Sequence, residues 1–295
     1  MAKTMKTSAT FDFEDEKFKA PPSEVLPWCQ MINPRTGDDG LTSYGLAIKL
    51  DNAEAIDFTP DDNWEQIDHE FATGDIESLY ISTTPRLVIV RRGPVCIKDR
   101  DTGATIGKLR DHYDAFMANR LKFKTFSRHL IFLVGQDKKF LHQTPLRLSI
   151  SGAAGASFGN SYRSVRQGQA PTGFTVELER AYAEFRKQPF TAKSPLFHAH
   201  GIFCPLIQPE NRGSGPNTVV VASTVDYEHP MTGNFQDYMI ASNSDESSTI
   251  QQTFEEYEDF GQDIPKTEPD KPEVPQPVGS GYTYTGEEYD YEPLY

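Results

Sequence analysis

Short runs of β-forming residues, broken every few positions by Gly, Asp or Pro, constrain this chain more than any other feature. Tyr44–Leu50 (YGLAIKL), Ser78–Ser82 (SLYIS), Arg86–Arg92 (RLVIVRR), Pro94–Lys98 (PVCIK) and Thr105–Leu109 (TIGKL) follow one another, with Gly93 and Asp101-Thr102-Gly103 at the breaks. Gly and Asp between such runs are hairpin chemistry. Thr125–Val134, Pro145–Ile150, Leu196–Ile207 and Thr218–Tyr227 continue the pattern. A short helix is expected over Trp64–Thr73, after the polar turn Pro60-Asp61-Asp62, and helical spacing marks His112–Arg120 and Gly173 to about Lys187, where Phe174, Leu178, Ala181, Tyr182 and Phe185 share a face. The expectation is a mainly β protein with a few helices, of the α+β class. An elaborated, partly open OB-like barrel is favoured, with a generic α+β fold as the alternative.

A chain of 295 residues buries enough core to need no disulfide or metal. Cys29, Cys96 and Cys204 are odd in number and form no CxxC pair, so they read as buried thiols in a reducing compartment. The N-terminus has no apolar signal-like region, and no run approaches the ~20 apolar residues of a membrane span. The expected location is the cytoplasm. The organisation read from composition is a flexible arm over 1–22, one β-rich nucleic-acid-binding domain over 23–243, and a disordered acidic, aromatic tail over 244–295.

Charge is sorted along the chain. Residues 86–212 hold 21 Lys+Arg against 9 Asp+Glu, whereas residues 1–85 hold 6 against 17 and residues 213–295 hold 2 against 17. An acidic protein thus carries a basic middle, and a polyanion is the partner such a region attracts. The densest patch runs from Arg120 through Lys122, Phe123, Lys124 and Phe126 to Arg128 and His129. On a strand, Lys122, Lys124, Phe126 and Arg128 share a face, interleaving cations with a ring. Single strands of nucleic acid are held this way, by cations on phosphates and rings on bases. Arg91, Arg92, Lys98, Lys108, Lys138, Lys139 and Arg147 extend the positive surface. The small-residue stretch Ser149–Asn160, followed by Tyr162, Arg163 and Arg166, offers close backbone approach to a phosphate or sugar. Each of these positions also has an ordinary reading as solvated surface, or as a tight turn between strand and helix.

The segment Glu258-Asp259-Phe260-Gly261-Gln262-Asp263-Ile264-Pro265 and the terminal Tyr289-Asp290-Tyr291-Glu292-Pro293-Leu294-Tyr295 are acidic and aromatic. This tail resembles those of bacterial and phage single-stranded-DNA-binding proteins, with Asp-Ile-Pro in that family's order. The resemblance implies a role in DNA replication or repair. Phe254, Tyr257, Phe260, Tyr289, Tyr291, Leu294 and Tyr295 would recruit replication or repair proteins, and the acidic charge would screen the DNA groove. The stretch from Phe11-Asp12-Phe13 through Leu26-Pro27-Trp28-Cys29-Gln30-Met31-Ile32-Asn33-Pro34 is similar to an uncharacterised domain family of cyanobacteria, a resemblance that implies bacterial origin and brings no assigned activity with it.

No GxSxG, HExxH or Rossmann fingerprint occurs, and the basic middle has few carboxylates for a Mg²⁺ site. His198-Ala199-His200 is the one metal-like pair: on a strand both imidazoles face one side, with Cys204 or His229 as further donors. The expectation is a non-enzymatic protein without catalytic residues, metal or cofactor. Its partners are single-stranded nucleic acid and the proteins recruited by the tail, not a membrane, with self-association open. The alternative is an assembly protein whose basic middle pairs with acidic segments of another subunit.

Overall fold

The structure is a computed structural model and describes residues 26–37, 40–71, 74–166, 168–213 and 218–261. The expected arm over 1–22 lies outside the described residues. In chain order the elements are β1 (Trp28–Ile32), β2 (Thr36–Gly37), β3 (Gly40–Leu41), β4 (Gly45–Lys49), α1 (Leu50–Ala55), β5 (Glu65–Glu70), β6 (Ile76–Ser82), β7 (Leu87–Arg92), β8 (Cys96–Asp99), β9 (Thr105–Lys108), α2 (Tyr113–Ala118), β10 (Phe123–Leu133) and β11 (Leu146–Ser151). They continue with α3 (Gly152–Tyr162), α4 (Phe174–Phe185), α5 (Pro195–Ala199), β12 (Ile202–Phe203), β13 (Pro205–Arg212), β14 (Val219–Tyr227) and α6 (Asp245–Glu256).

Ten strands make one mixed sheet along the path β12-β7-β10-β11-β1-β4-β6-β5, with β8 also pairing with β10, and β9 with β8. The mainly β, α+β expectation therefore holds. The finer OB-like detail is not confirmed by this strand order, whose path ends at β12 and β5 among the described residues. β1 runs parallel to β11 and antiparallel to β4, joining the two halves of the sheet. Gly45 opens β4 at φ +141°, and a Cβ there would come 2.4 Å from the Ser82 carbonyl oxygen, so only glycine lets β4 lie this close to β6.

β10 is the spine. Its final residues, His129 to Leu133, are buried on both faces. Burying each aliphatic or aromatic side chain there stabilises the fold by about 1.5–3 kcal/mol. Phe158 and Tyr162 of α3, with Phe174 of α4, pack around Phe203, their ring centroids 5.2–5.4 Å from its own. Elsewhere Phe132 stacks on Phe140 at 4.4 Å and on His142 at 5.4 Å. The β13–β14 ribbon closes over α3, where the Ser157 hydroxyl accepts from the Thr224 amide at 3.0 Å.

Four sequence expectations are corrected. Trp64–Thr73 carries apolar residues at helical spacing, yet Glu65–Glu70 is strand β5, because pairing with β6 satisfies its backbone and buries His69 on one face. Leu196–Ile207 begins as helix α5, where Pro195 follows the capping Ser194, whose hydroxyl accepts from the Phe197 amide. The small-residue stretch, read as a close approach to phosphate or a tight turn between strand and helix, is for the most part helix α3; its lack of bulk lets the helix approach the sheet, and a Cβ on Gly155 would already lie 3.2 Å from the Ile150 carbonyl oxygen. The expected loose tail from residue 244 instead starts with α6, which buries Glu246, Ser247, Ile250 and Thr253 on one face. Ser244 caps it, and Asp245 and Glu246 complement its dipole.

Candidate nucleic-acid interface

The predicted basic residues do not form one continuous track. They separate into several groups, and one of these is dense. At the start of β10 the strand pairs with β8, with Lys124 opposite Lys98 and Phe126 opposite Cys96. β8 in turn places Cys96 opposite Lys108 of β9. Directly opposed residues project from the same face, and side chains alternate along a strand. Cys96, Lys98, Lys108, Lys124, Phe126 and Arg128 therefore share one face of this three-stranded end. The other face, with Ile97 and Phe123, is packed by Leu109 and by Tyr113 and Phe116 of α2.

On the basic face Phe126 is only 4% exposed. The Lys98 ammonium stands 5.7 Å from its ring centre and the Arg128 guanidinium 5.2 Å. Lys98, Lys108, Lys124 and Arg128 are half-buried on this face. Burial raises the Cys96 thiol to a pKa of about 11, opposed by the charges of Arg128 and Lys108, which places both cations around the same spot. Like charges directly opposite on neighbouring strands are unfavourable, and Lys98 and Lys124 stand in that relation.

Other predicted residues lie elsewhere. Lys122 precedes β10 and turns its ammonium to Asp99, 3.7 Å away. Phe123 faces the α2 side and is half-buried, so it joins that small core. Arg120 folds back on α2, its guanidinium 2.8 Å from the Met117 sulfur. Arg147 sits on β11, opposite Leu130 and Trp28. Lys138 and Lys139 occupy the turn beyond the far end of β10; Lys138 donates to the Gln236 carbonyl at 2.7 Å and Lys139 pairs with Glu246 at 2.9 Å. Arg91 donates to the Phe254 carbonyl. Arg166 is exposed and lines a polar hollow of about 300 Å³ with Asn160, Ser164 and Thr172. Arg92, Tyr162 and Arg163 gather on the α3 side of the sheet, where Tyr162 is 3% exposed. The rings expected to stack on bases are thus the least accessible part of the prediction: Phe126 and Tyr162 are needed in the packing.

Phe254 is likewise part of the packed helix, and Tyr257 and Phe260 follow in the turn that ends it, both half-buried. Tyr289, Tyr291, Leu294 and Tyr295 lie outside the described residues. Gly261 comes against Gly93, whose amide donates to the Arg128 carbonyl at 2.8 Å, so the chain leaves α6 beside the basic face.

His198 and His200 lie on α5 and its cap, not on a strand, and they diverge. His198 meets the buried Glu179 carboxylate at 2.6 Å. His200 meets the Ser247 hydroxyl at 3.0 Å and the Leu196 carbonyl at 2.8 Å. Sequence reasoning missed the cluster around Glu179, where Arg163, His198 and the Lys193 amide converge on one carboxylate oxygen. No spacing rule links α3, α4 and α5, and only packing brings them together.

A family model described as a domain of unknown function, DUF5895, matches residues 23–273. The chain belongs to the DUF5895 family. That match agrees with the resemblance to an uncharacterised family read near the N-terminus, and it spans both the sheet and α6. No curated protein and no solved structure matches the chain. Among the described residues no helix is long and apolar enough to cross a membrane.

Proposed function

We propose that this DUF5895 protein is a non-enzymatic single-stranded-DNA-binding protein that holds the phosphate backbone on the basic face of β8, β9 and β10. The observation that carries this reading is the direct opposition of Lys98 and Lys124, with Lys108 and Arg128 on the same face. A cationic quartet of this kind is stabilised by a polyanion laid across it. With Phe126 covered, affinity comes from charge more than from stacking, and binding is tolerant of sequence. The segment beyond Gly261 is acidic and starts beside Arg128, which supports its acting as an internal screen that DNA displaces and proteins recognise.

Fluorescence anisotropy of labelled oligo-dT, duplex and RNA, over a salt series, tests this. About four phosphate contacts predict a loss of roughly 50-fold in single-strand affinity between 50 and 200 mM salt. Absence of binding to oligo-dT at low salt ends the reading, as does binding that Lys124→Glu leaves unchanged.

A further inference from the structure

On the other side of the sheet, β7, β10 and α3 bring together polar groups that the packing leaves incomplete. Arg92 stands opposite His129 across the β7–β10 pair, so both side chains face α3. The Arg92 guanidinium lies 5.1 Å from the centre of the Tyr162 ring, and this is its one polar or ring contact among the described residues. Tyr162 itself is 3% exposed. His129 is 2% exposed; its Nε2 meets the Ser127 hydroxyl at 3.1 Å, while its Nδ1 is buried without a partner. The next residue along α3, Arg163, is fixed by the Thr175 hydroxyl at 3.0 Å and by Glu179 at 3.6 Å.

Buried polar atoms are almost always satisfied, so the orphaned imidazole nitrogen beside a guanidinium without an ion pair marks a missing partner. Its charge follows from the groups around it. Arg92 and Arg163 are cationic, and Glu179 supplies one negative charge, which it directs at Arg163 and His198. Burial, reinforced by the charge of Arg92, pushes His129 down to about 3, so it is neutral. His198 is lowered chiefly by burial, against the pull of Glu179. One positive charge remains without a counter-ion. Arg92 is exposed to solvent, yet burial is the largest cause of its lowered pKa, and the charge of Arg163 adds to it.

We propose that Arg92, Arg163 and the Tyr162 hydroxyl form a binding site for a phosphate group, with His129 Nδ1 as a further polar contact. Two guanidiniums and a phenol are donors suited to a tetrahedral oxyanion. The site is separate from the basic face of β8–β10 and does not depend on that face binding DNA. Its phosphate is either free, as inorganic phosphate or a mononucleotide, or the terminal phosphate of a strand.

Thermal unfolding of the full chain with inorganic phosphate, against matched chloride, tests the site. Phosphate raises Tm of the wild type, and Arg92→Gln and Tyr162→Phe weaken its apparent affinity at least roughly tenfold, as expected for loss of a charged or buried hydrogen bond. Both variants keep the fold, because Arg92 makes no ion pair and Phe retains the ring. Lys124→Gln leaves the phosphate effect intact. Oligo-dT bearing a 5′-phosphate then competes with inorganic phosphate better than its 5′-hydroxyl counterpart if a strand end is the source, whereas AMP competes and the phosphorylated oligonucleotide does not if the source is small. The proposal is overturned if phosphate does not stabilise the wild type, if Arg92→Gln and Tyr162→Phe respond as the wild type does, or if the effect disappears with Lys124→Gln instead.

Discussion

The carbonyl of Phe254 accepts from both Nε and Nη2 of Arg91, while the Phe254 ring lies 3.5 Å from the carbon of the same guanidinium. A side chain selected from the sequence as a phosphate ligand is thereby the clasp that holds the last turn of α6 to strand β7. Arg91→Met removes both hydrogen bonds and exposes the helix end, at a cost of about 1–3 kcal/mol. Hydrogen exchange should accelerate in 250–257 while β1 and β4 stay protected; uniform acceleration would instead mean that α6 and the sheet open together.

The position of α6 changes what truncation does. Removing residues 262–295 leaves Ile250, fully buried, in place and should tighten oligo-dT binding at low salt. Removing residues 245–295 also strips the helix from β7 and from His200, so Tm should fall by several degrees. Equal DNA affinity with and without 262–295 removes the screening role.

Stability should fall in acid through two histidines. His142 accepts from the Leu133 amide through Nε2 at 2.9 Å, and its Nδ1 lies 2.7 Å from the Thr144 carbonyl. Burial lowers it to about 4, and His129 to about 3, from an ordinary 6.5. Below pH 6.5 the unfolded chain takes up protons that the folded chain refuses. The stabilisation is therefore present above that pH and is lost as pH falls toward the folded values, by about 1.4 kcal/mol per pH unit for each histidine. Urea unfolding between pH 7 and 4.5 measures it, and His142→Gln should show the shallower slope.

Glu179 is 1% exposed and is held by Arg163, His198 and a backbone amide. Glu179→Ala leaves the half-buried Arg163 with only the Thr175 hydroxyl, and removes the partner of His198, and should cost about 1–3 kcal/mol in chemical denaturation. Glu179→Gln keeps an acceptor at the same place and should cost less; equal costs would mean that charge is irrelevant there.

At Gly45 the backbone conformation and the close Ser82 carbonyl act together. Gly45→Ala should destabilise by more than about 1 kcal/mol, the usual scale for strain at a special backbone angle. An unchanged Tm would show that β4 and β6 can separate freely.

The strands were legible wherever β-branched residues met a Gly or Asp break: Leu87–Arg92, Cys96–Asp99, Phe123–Leu133 and Leu146–Ser151 fall inside or beside the runs that announce them. Trp64, Ile67 and Phe71 misled because three apolar residues at helical spacing do not reveal that Ile76–Ser82 waits as a partner. The helix at Asp245–Glu256 was hidden by acidic composition, although the Ser244 cap and the Ile250–Phe254 spacing were there to be read. For the site, the alternation that aligns Lys124 and Arg128 was visible within one strand. Their neighbours Lys98 and Lys108 depended on hairpin register, and the separation of Arg92 from Arg91 on a ribbon bent by a β-bulge was not visible at all.

The parallel contact between Trp28–Gln30 and Arg147–Ser149 is the seam that unites the halves of the sheet. During synthesis, β1 has only β4 to pair with until β11 has been made. Its second edge stays bare through the whole intervening stretch, a vulnerable interval in which a chaperone, or a neighbouring nascent chain, competes for the same row of amides and carbonyls.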